Sequence, residues 1–265
     1  MEQKVFHVKQ ESPNRELPLV PVVAPDPASV ERIQKMLASE SIPCSPEQAS
    51  VLAAHLQFVL DANAVAQLTS IKSYEQGEVQ HVLDSCLAFL EVNAAPEGPI
   101  VDLGTGGGFP GIPLAVLTHR QVVLVDSVGK KARLVQQFID QVPELSDLAN
   151  TYAGRAEALA NTSARDQAGV VVARALAPLS ALVELAAPLL RPGGWLVALK
   201  GEPSAEELSR GDATARIIGM ERIGVREYQL GDTGARRCVV IYRREGALKR
   251  VLPRKEGLAQ HKPLA

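Results

Sequence analysis

Ile100-Val-Asp-Leu-Gly-Thr-Gly-Gly-Gly-Phe-Pro-Gly111 reads as a short apolar strand running into a glycine-rich turn, with an acid just before the first glycine. A parallel α/β sheet opens a nucleotide-shaped cofactor site in this way. Gly104, Gly106, Gly107 and Gly108 lack the Cβ atoms that would keep a ligand off the backbone, and Pro110 and Pro113 suit the first turn of a following helix. Two cofactor classes fit the turn. The frame Gly106-x-Gly108-x-x-Gly111 matches the dinucleotide fingerprint, in which a pyrophosphate rests on a helix N-terminus. The earlier frame Asp102-x-Gly104-x-Gly106 places an acid before the glycines, which repels a pyrophosphate and favours a cationic ligand such as S-adenosylmethionine. The second frame fits better.

Downstream, Val122-Val-Leu-Val-Asp126 is a second apolar run ending in an acid, where a βαβ unit puts the carboxylate that binds ribose hydroxyls. Both cofactor classes need that acid. From about Gly98 onward, strand-like and helix-like runs alternate: Ile100–Leu103, a helix from Pro110, Val122–Asp126, a helix from Val128, a short run near Thr151, Gly169–Arg174, a helix over Pro178–Leu190, and Trp195–Lys200. Such alternation predicts a parallel sheet with right-handed crossovers. After a helix from Ser204, Val225–Leu230 and Arg236–Arg244 flank Gly231-Asp-Thr-Gly234, which is hairpin chemistry. The expected fold class is therefore α/β, a Rossmann-like, mostly parallel seven-stranded sheet with a terminal antiparallel hairpin, the arrangement of class I methyltransferases.

Four regions are expected: a proline-rich flexible leader over 1–28, a helical N-terminal region over 29–96, the methyltransferase domain over 97–246 and a basic tail over 247–265. In the helical region, Ser45-Pro-Glu-Gln48 and Ser73-Tyr-Glu-Gln76 are capping boxes. The second should introduce a helix with Val79, Val82, Leu83, Cys86 and Leu90 on one side, and the region should pack on the sheet edge.

At 265 residues the chain can bury a full-sized core, and its mean hydropathy near zero is that of a soluble globular protein. No apolar run reaches transmembrane length, and the N-terminus lacks a secretory h-region, so no membrane partner is expected. Cys44, Cys86 and Cys238 are odd in number and far apart, which argues against disulfides or a metal site and for the cytoplasm. The charge is segregated: residues 236–265 hold nine Lys or Arg against two acids, on an otherwise acidic chain whose total is −2. An acidic body with a basic tail predicts a polyanionic partner, RNA above all.

Taken together, these blocks resemble the bacterial 16S ribosomal RNA guanine-N7 methyltransferases, also called glucose-inhibited division protein B. The resemblance runs from Leu68-Thr-Ser-Ile and His81-Val-Leu-Asp-Ser85 through the glycine loop to Val125-Asp-Ser-Val-Gly-Lys-Lys131. It continues with Gly154-Arg-Ala-Glu157, Ala173-Arg-Ala175, Leu199-Lys-Gly201, Leu252-Pro-Arg-Lys-Glu-Gly257 and Lys262-Pro-Leu264. The chain departs at Gln67 and Gln80, where the family usually has Asn and Arg, and its leader is longer. The resemblance implies S-adenosyl-L-methionine as cofactor, touched by Gly104, Phe109, Asp126, Ala156, Glu157 and Arg174. Asp102, Gly106 and Ser127, in or beside the two strand-end turns, complete the expected cofactor set. It also implies the substrate, guanine 527 (conventional bacterial numbering) of 16S rRNA in the small subunit or an assembly intermediate, and the chain is read as a monomer.

Elimination agrees with N7 chemistry. Pyrimidine C5 methylation needs a cysteine nucleophile at a strand end, and Ala173-Arg-Ala-Leu176 offers none. The Asn/Asp-Pro-Pro-aromatic motif of exocyclic-amine methylation is also missing there. Guanine N7 already presents a lone pair, so no general base is required. Arg174 and Lys200, at strand ends, are expected to position base or phosphate, and His81 to pack or cap. Lys130, Lys131 and Arg133, with Arg254, Lys255 and Lys262 of the tail, are expected to contact RNA phosphates. An NAD-dependent oxidoreductase and a non-catalytic RNA-binding assembly factor stay open as alternatives.

Overall fold

The computed structural model describes residues 17–265. Helices α1 (Pro27–Ser39) and α2 (Pro46–Ala62) are followed by a continuous helical run made of α3 (Tyr74–Gly77), a π segment (Glu78–Leu83) and α4 (Asp84–Cys86), then by α5 (Phe89–Ala94). The sheet domain alternates β1 (Ile100–Leu103), α6 (Gly111–Thr118), β2 (Val122–Asp126), α7 (Gly129–Gln141), β3 (Ala149–Ala153), α8 (Ala156–Leu159), β4 (Ala168–Arg174), α9 (Leu179–Ala186) and β5 (Leu190–Lys200). It closes with α10 (Ala205–Ile218), β6 (Met220–Gln229), β7 (Arg236–Arg244) and the short α11 (Leu258–His261).

The strand order is β3-β2-β1-β4-β5-β7-β6. The first five strands are parallel, and β7 runs antiparallel to both neighbours, so the hairpin expected from Gly231–Gly234 is the β6–β7 pair. Because β1 and β2 are both interior strands with covered faces, every residue of them is buried, as the unbroken apolar runs require. Alternate residues enter opposite layers. Ile100, Val122, Leu124, Val170 and Val197 join one core, while Val101, Leu103, Val123, Val171 and Leu196 join the other.

The crossovers explain the placement of the N-terminal helices. Among the crossover helices, α6 and α7 cover the first face over β1–β3, and α8, α9 and α10 cover the second. Over β4, β5 and β7 the first face would otherwise leave Val172, Leu199 and Val239 bare. Helices α1 to α5 fill that gap, with Leu56, Leu83, Leu87 and Val92 in the same core as these strand residues. The expected edge packing is thus corrected to coverage of a face, driven by apolar strand residues that need a partner.

Three further expectations change. Ser73 caps its helix, accepting from Gln76 N–H at 3.2 Å, but the following π segment shifts the phase. Leu87, Phe89 and Val92 are buried and Leu90 is exposed, because the wider π turn rotates later residues around the axis. The leader over 1–28 lies outside the described residues up to residue 16. From Leu17 to Asp26 it has no regular structure, as expected, yet it is held. Val20 N–H and Val22 N–H donate to the side-chain oxygens of Gln137 and Gln141, at 3.2 and 3.1 Å, and Gln141 Nε2 returns a bond to Val20 O at 3.0 Å. Two glutamines one helical turn apart can satisfy an extended backbone that has no hydrogen bonds of its own.

The tail likewise is no separate appendage. Leu252 and Ala259 are buried in the second core, and Arg254 pairs with the buried Glu184 of α9 at 2.5 and 2.7 Å. Cys44, Cys86 and Cys238 are free thiols, and no described helix is long and apolar enough to cross a membrane.

Candidate functional site

Two cavities open at the C-terminal ends of the central strands, where the order reverses between β1 and β4. Such switch points are where open α/β sheets hold ligands. The cavities share a wall: Arg174 and Ala175 line one, and the next residue, Leu176, lines the other.

The smaller cavity, about 190 Å³, is walled by three strand-end turns. Gly104 and Gly106 come from the first turn, Asp126, Ser127 and Lys131 from the second, and Gly154 to Glu157 from the third. Gly104 adopts φ +72° and its N–H donates to Val125 O at 2.9 Å, tying the first turn to β2. A Cβ there would stand 2.6 Å from Leu176 Cδ1. Asp126 accepts from Gly106 N–H at 3.0 Å and from Val128 N–H at 2.8 Å, which fixes the carboxylate at the cavity edge with lone pairs to spare. The backbone amide of Gly257 donates to Glu157 Oε1 at 2.8 Å, and Gln260 of α11 also lines the cavity, so the tail helps to close it.

The dinucleotide frame fails here on hydrogen-bond accounting. Gly106 N–H is taken by Asp126, Gly108 N–H by Thr105 O, and Gly111 N–H by Asp102 Oδ2. None of the three glycine amides is left to cradle a pyrophosphate. A cavity edged by two fixed carboxylates and apolar Leu103, Val125 and Leu176 suits an adenosyl group carrying a positive centre. The residues present therefore fit S-adenosylmethionine.

Of the residues assigned to the cofactor, Gly104, Gly106, Asp126, Ser127, Ala156 and Glu157 line this cavity; Asp102, Phe109 and Arg174 do not. Asp102 lies fully buried beneath the turn, where Oδ2 accepts from Thr105 Oγ1 at 2.6 Å and from Gly111 N–H at 2.9 Å. It shapes the turn, and burial raises its carboxyl to about 6.

Phe109 is a buried platform against His81 and Arg174 of the larger cavity. His81 stacks on it at 4.7 Å with an interplanar angle of 11°, His55 packs at 4.3 Å, and the Arg174 guanidinium sits 5.6 Å from its centroid. Arg174 donates to Gln80 O at 3.0 Å and to Asp84 Oδ2 at 3.1 Å, and its Nη2 lies 3.2 Å from His81 Nδ1. Because a guanidinium only donates, Nδ1 accepts and the His81 proton resides on Nε2, aimed at Thr69 Oγ1 at 2.6 Å. Burial, aided by Arg174, holds His81 down at about 4, so it is neutral near pH 7. His55, fully buried with Nε2 2.8 Å from Gly107 O, is held at about 3, chiefly by burial.

The larger cavity, about 480 Å³, gathers Arg174, Lys200 and Arg237 with Asp84 and His81. Lys200 Nζ is braced by Glu207 Oε1 at 2.7 Å and Ala177 O at 3.2 Å. Ala175, at the wall between the cavities, adopts φ +52°. Non-glycine residues in that region cluster at functional sites. Arg174 and Lys200, paired in the sequence reading, do meet here. His81, Asp84 and Arg237 were not singled out as site residues, although His81-Val-Leu-Asp-Ser85 stood among the blocks that carried the resemblance. That block was the signal for His81 and Asp84; Arg237, on β7, had none.

The expected RNA-contacting residues separate. Lys255 and Lys262 are exposed, whereas Arg254 is committed to Glu184, since a buried carboxylate needs a partner. Lys131 lines the smaller cavity, Lys130 Nζ is bonded to Val65 O, and Arg133, on α7, is half-buried.

Sheet order, glycine turn and paired cavities define a class I methyltransferase. Cofactor-bound Rv0187 from MTB shares the fold, with a TM-score of 0.52 and 21% identity over 84% of this chain and 99% of that one. The model of the family described as rRNA small subunit methyltransferase G, GidB, matches residues 48–233, and the chain belongs to that family. It is 35% identical to ribosomal RNA small subunit methyltransferase G of Rubrobacter xylanophilus over 243 residues, 88% of this chain and 90% of that one. To the protein of the same name from Bacillus cytotoxicus it is 30% identical over 238 residues, 89% and 99% of the two chains.

Proposed function

We propose that this chain transfers a methyl group from S-adenosylmethionine to N7 of a guanine in 16S rRNA, guanine 527 in conventional bacterial numbering. It acts in the cytoplasm, as a monomer, on the small ribosomal subunit or an assembly intermediate. The observation that carries this reading is the adjacency of an acid-edged, glycine-walled cavity and a cation-rich cavity across Arg174–Leu176.

The bound cofactor supplies an electrophilic methyl group on a sulfonium. Asp126 would hold the ribose, and Ala156 and Glu157 would meet the adenine. In the larger cavity neither His81 nitrogen is free to take a proton, since Nδ1 faces Arg174 and Nε2 faces Thr69. An N7 acceptor needs no such base, because its lone pair attacks directly once aligned. Lys200 and Arg174 orient the base and neighbouring phosphate, while exposed Lys255 and Lys262 add phosphate contacts outside the cavity.

Transfer of labelled methyl from S-adenosylmethionine to 16S rRNA and to 30S particles, followed by mass-spectrometric mapping, tests the proposal. Label at N7 of a guanine in at least one substrate is the expected result. Cofactor and RNA binding with no transfer would overturn it in favour of an assembly factor without turnover.

A further inference from the structure

The polar wall of the larger cavity is lopsided. Arg174, Lys200 and Arg237 are cationic donors, and Asp84 is the sole carboxylate among the residues that line it. Asp84 is 7% exposed and is held in place from the sheet side, where its Oδ2 accepts from Arg174 at 3.1 Å. Its other oxygen is differently placed. Arg237 Nε approaches Oδ1 only to 3.6 Å, beyond hydrogen-bond reach, and Oδ1 has no hydrogen-bond partner among the described residues. A buried carboxylate oxygen left without a donor is costly unless a ligand supplies one. Arg237, the cation that approaches it, has a side chain about a third exposed, so it is the group an incoming base would displace.

Guanine carries the matching chemistry. Its N1–H and 2-amino group are adjacent donors, on the edge away from N7 and beside the O6 acceptor. Adenine offers an acceptor at N1 instead, which a carboxylate repels. We infer that Asp84 is the specificity-determining residue for the target base, accepting from the N1–H and 2-amino edge of guanine while Arg174 and Lys200 face O6 or phosphate; this rests on the guanine reading proposed above.

The contact also serves the chemical step. As N7 bonds to the methyl carbon and the carbon–sulfur bond breaks, the purine gains the positive charge that the sulfonium loses. Its N1–H and 2-amino protons become more acidic, so their bonds to a carboxylate strengthen. An interaction stronger in the transition state than in the ground state raises kcat rather than lowering KM. Asp84 thereby offsets the three cations that would otherwise oppose a cationic base.

The test compares a 16S rRNA fragment carrying guanosine at the modified position with one carrying inosine there, which lacks only the 2-amino group. The wild-type chain is expected to lose about tenfold to a hundredfold in kcat/KM on inosine, mostly in kcat. Asp84→Asn should lose at least a similar factor on guanosine, yet treat guanosine and inosine within about threefold of each other, because the 2-amino bond that inosine lacks is one of those the carboxylate makes. Calorimetric binding of S-adenosylhomocysteine by Asp84→Asn, unchanged, reports that the variant is folded. Wild-type transfer to inosine within about twofold of guanosine would overturn the inference, even if the variant fails to fold. So would an undiminished inosine penalty in Asp84→Asn, which would confine Asp84 to holding Arg174. Absence of wild-type transfer to guanosine would instead sink the guanine reading, and this inference with it.

Discussion

The two cavities at the sheet rim are built in opposite ways. The smaller one is made of short contiguous turns after β1, β2 and β3, each shaped by its own backbone hydrogen bonds. The larger one collects Ser70, His81, Asp84, Arg174, Lys200 and Arg237 from across the chain, and it exists only once the N-terminal helices have settled on the sheet. A backbone-built site fails when a side chain is added. A side-chain-built site fails when one member of a network is removed.

The largest effect is therefore expected from an added side chain. Gly104→Val places a β-branched residue at φ +72°, with its Cβ driven to 2.6 Å from Leu176 Cδ1. The conformation alone costs about 1–3 kcal/mol, and Leu176, which must shift, is itself part of the cavity wall. Calorimetry with S-adenosylhomocysteine should find affinity reduced at least about a hundredfold. Binding within about threefold of wild type would erase the distinction between the two sites.

The second effect separates residues that look alike in sequence. Arg254→Ala strands Glu184, whose side chain is 3% exposed, and such an uncompensated charge costs about 3–5 kcal/mol. It also loosens the segment that brings Gly257 to Glu157 and Gln260 to the cavity, so cofactor affinity should fall about tenfold alongside the melting temperature. Lys255→Ala with Lys262→Ala removes only exposed charge. That pair should leave cofactor binding alone and flatten the salt dependence of RNA binding by up to about two units of slope. If Arg254→Ala lowers RNA affinity alone, the tail does not close the cavity.

This contrast marks what was legible in the residues. The strand–turn pattern around Asp102 and Asp126 revealed the mostly parallel sheet and much of the smaller cavity, because glycine conformations and strand ends are local properties. Charge is read more poorly. Arg254 and Lys255 are neighbours in a basic run, and only the fold reveals that one faces a buried acid and the other solvent. Beyond Arg174 and Lys200, the larger cavity escaped for the same reason. Nothing in the spacing of His81, Asp84 and Arg237 says that a π segment and an antiparallel strand will bring them to Arg174. Asp102 was misplaced because an acid before glycines reads equally as ligand contact or as turn support, and here it accepts from Thr105 and Gly111.

Acid should probe the side-chain network more gently. Unfolded histidines titrate near 6.5, whereas burial holds folded His81 at about 4 and His55 at about 3. Between about 4 and 6.5 the unfolded chain binds more protons, so these residues add stability as pH rises, and their contribution is complete above about 6.5. Asp102, raised to about 6, acts in the opposite sense between about 4 and 6 and cancels one of the two. The net slope is up to about 1.4 kcal/mol per pH unit in denaturant titrations between pH 4 and 6. Without the burdened imidazole, His81→Asn should show a flatter slope. An unchanged slope would mean that His81 is charged in the fold and that Arg174 is not its donor.

The smallest effect lies at the wall between the cavities and asks whether they are mechanically one site. Ala175 holds φ +52°, a conformation that costs an L-residue about 1–2 kcal/mol and costs glycine nothing. Glycine also gains freedom in the unfolded chain worth about 0.5–1 kcal/mol, so Ala175→Gly should raise stability by less than about 1 kcal/mol. Its kinetic consequence is the informative part. Arg174 and Leu176 face different cavities from either side of this residue, and a freer backbone lets them move independently. Methyl transfer should then slow a few-fold, while S-adenosylhomocysteine affinity stays within about twofold, since the three turns of the smaller cavity are untouched. A stabilised variant with unchanged kcat would mean that the strain at Ala175 has no part in aligning the two ligands, and that each cavity positions its own.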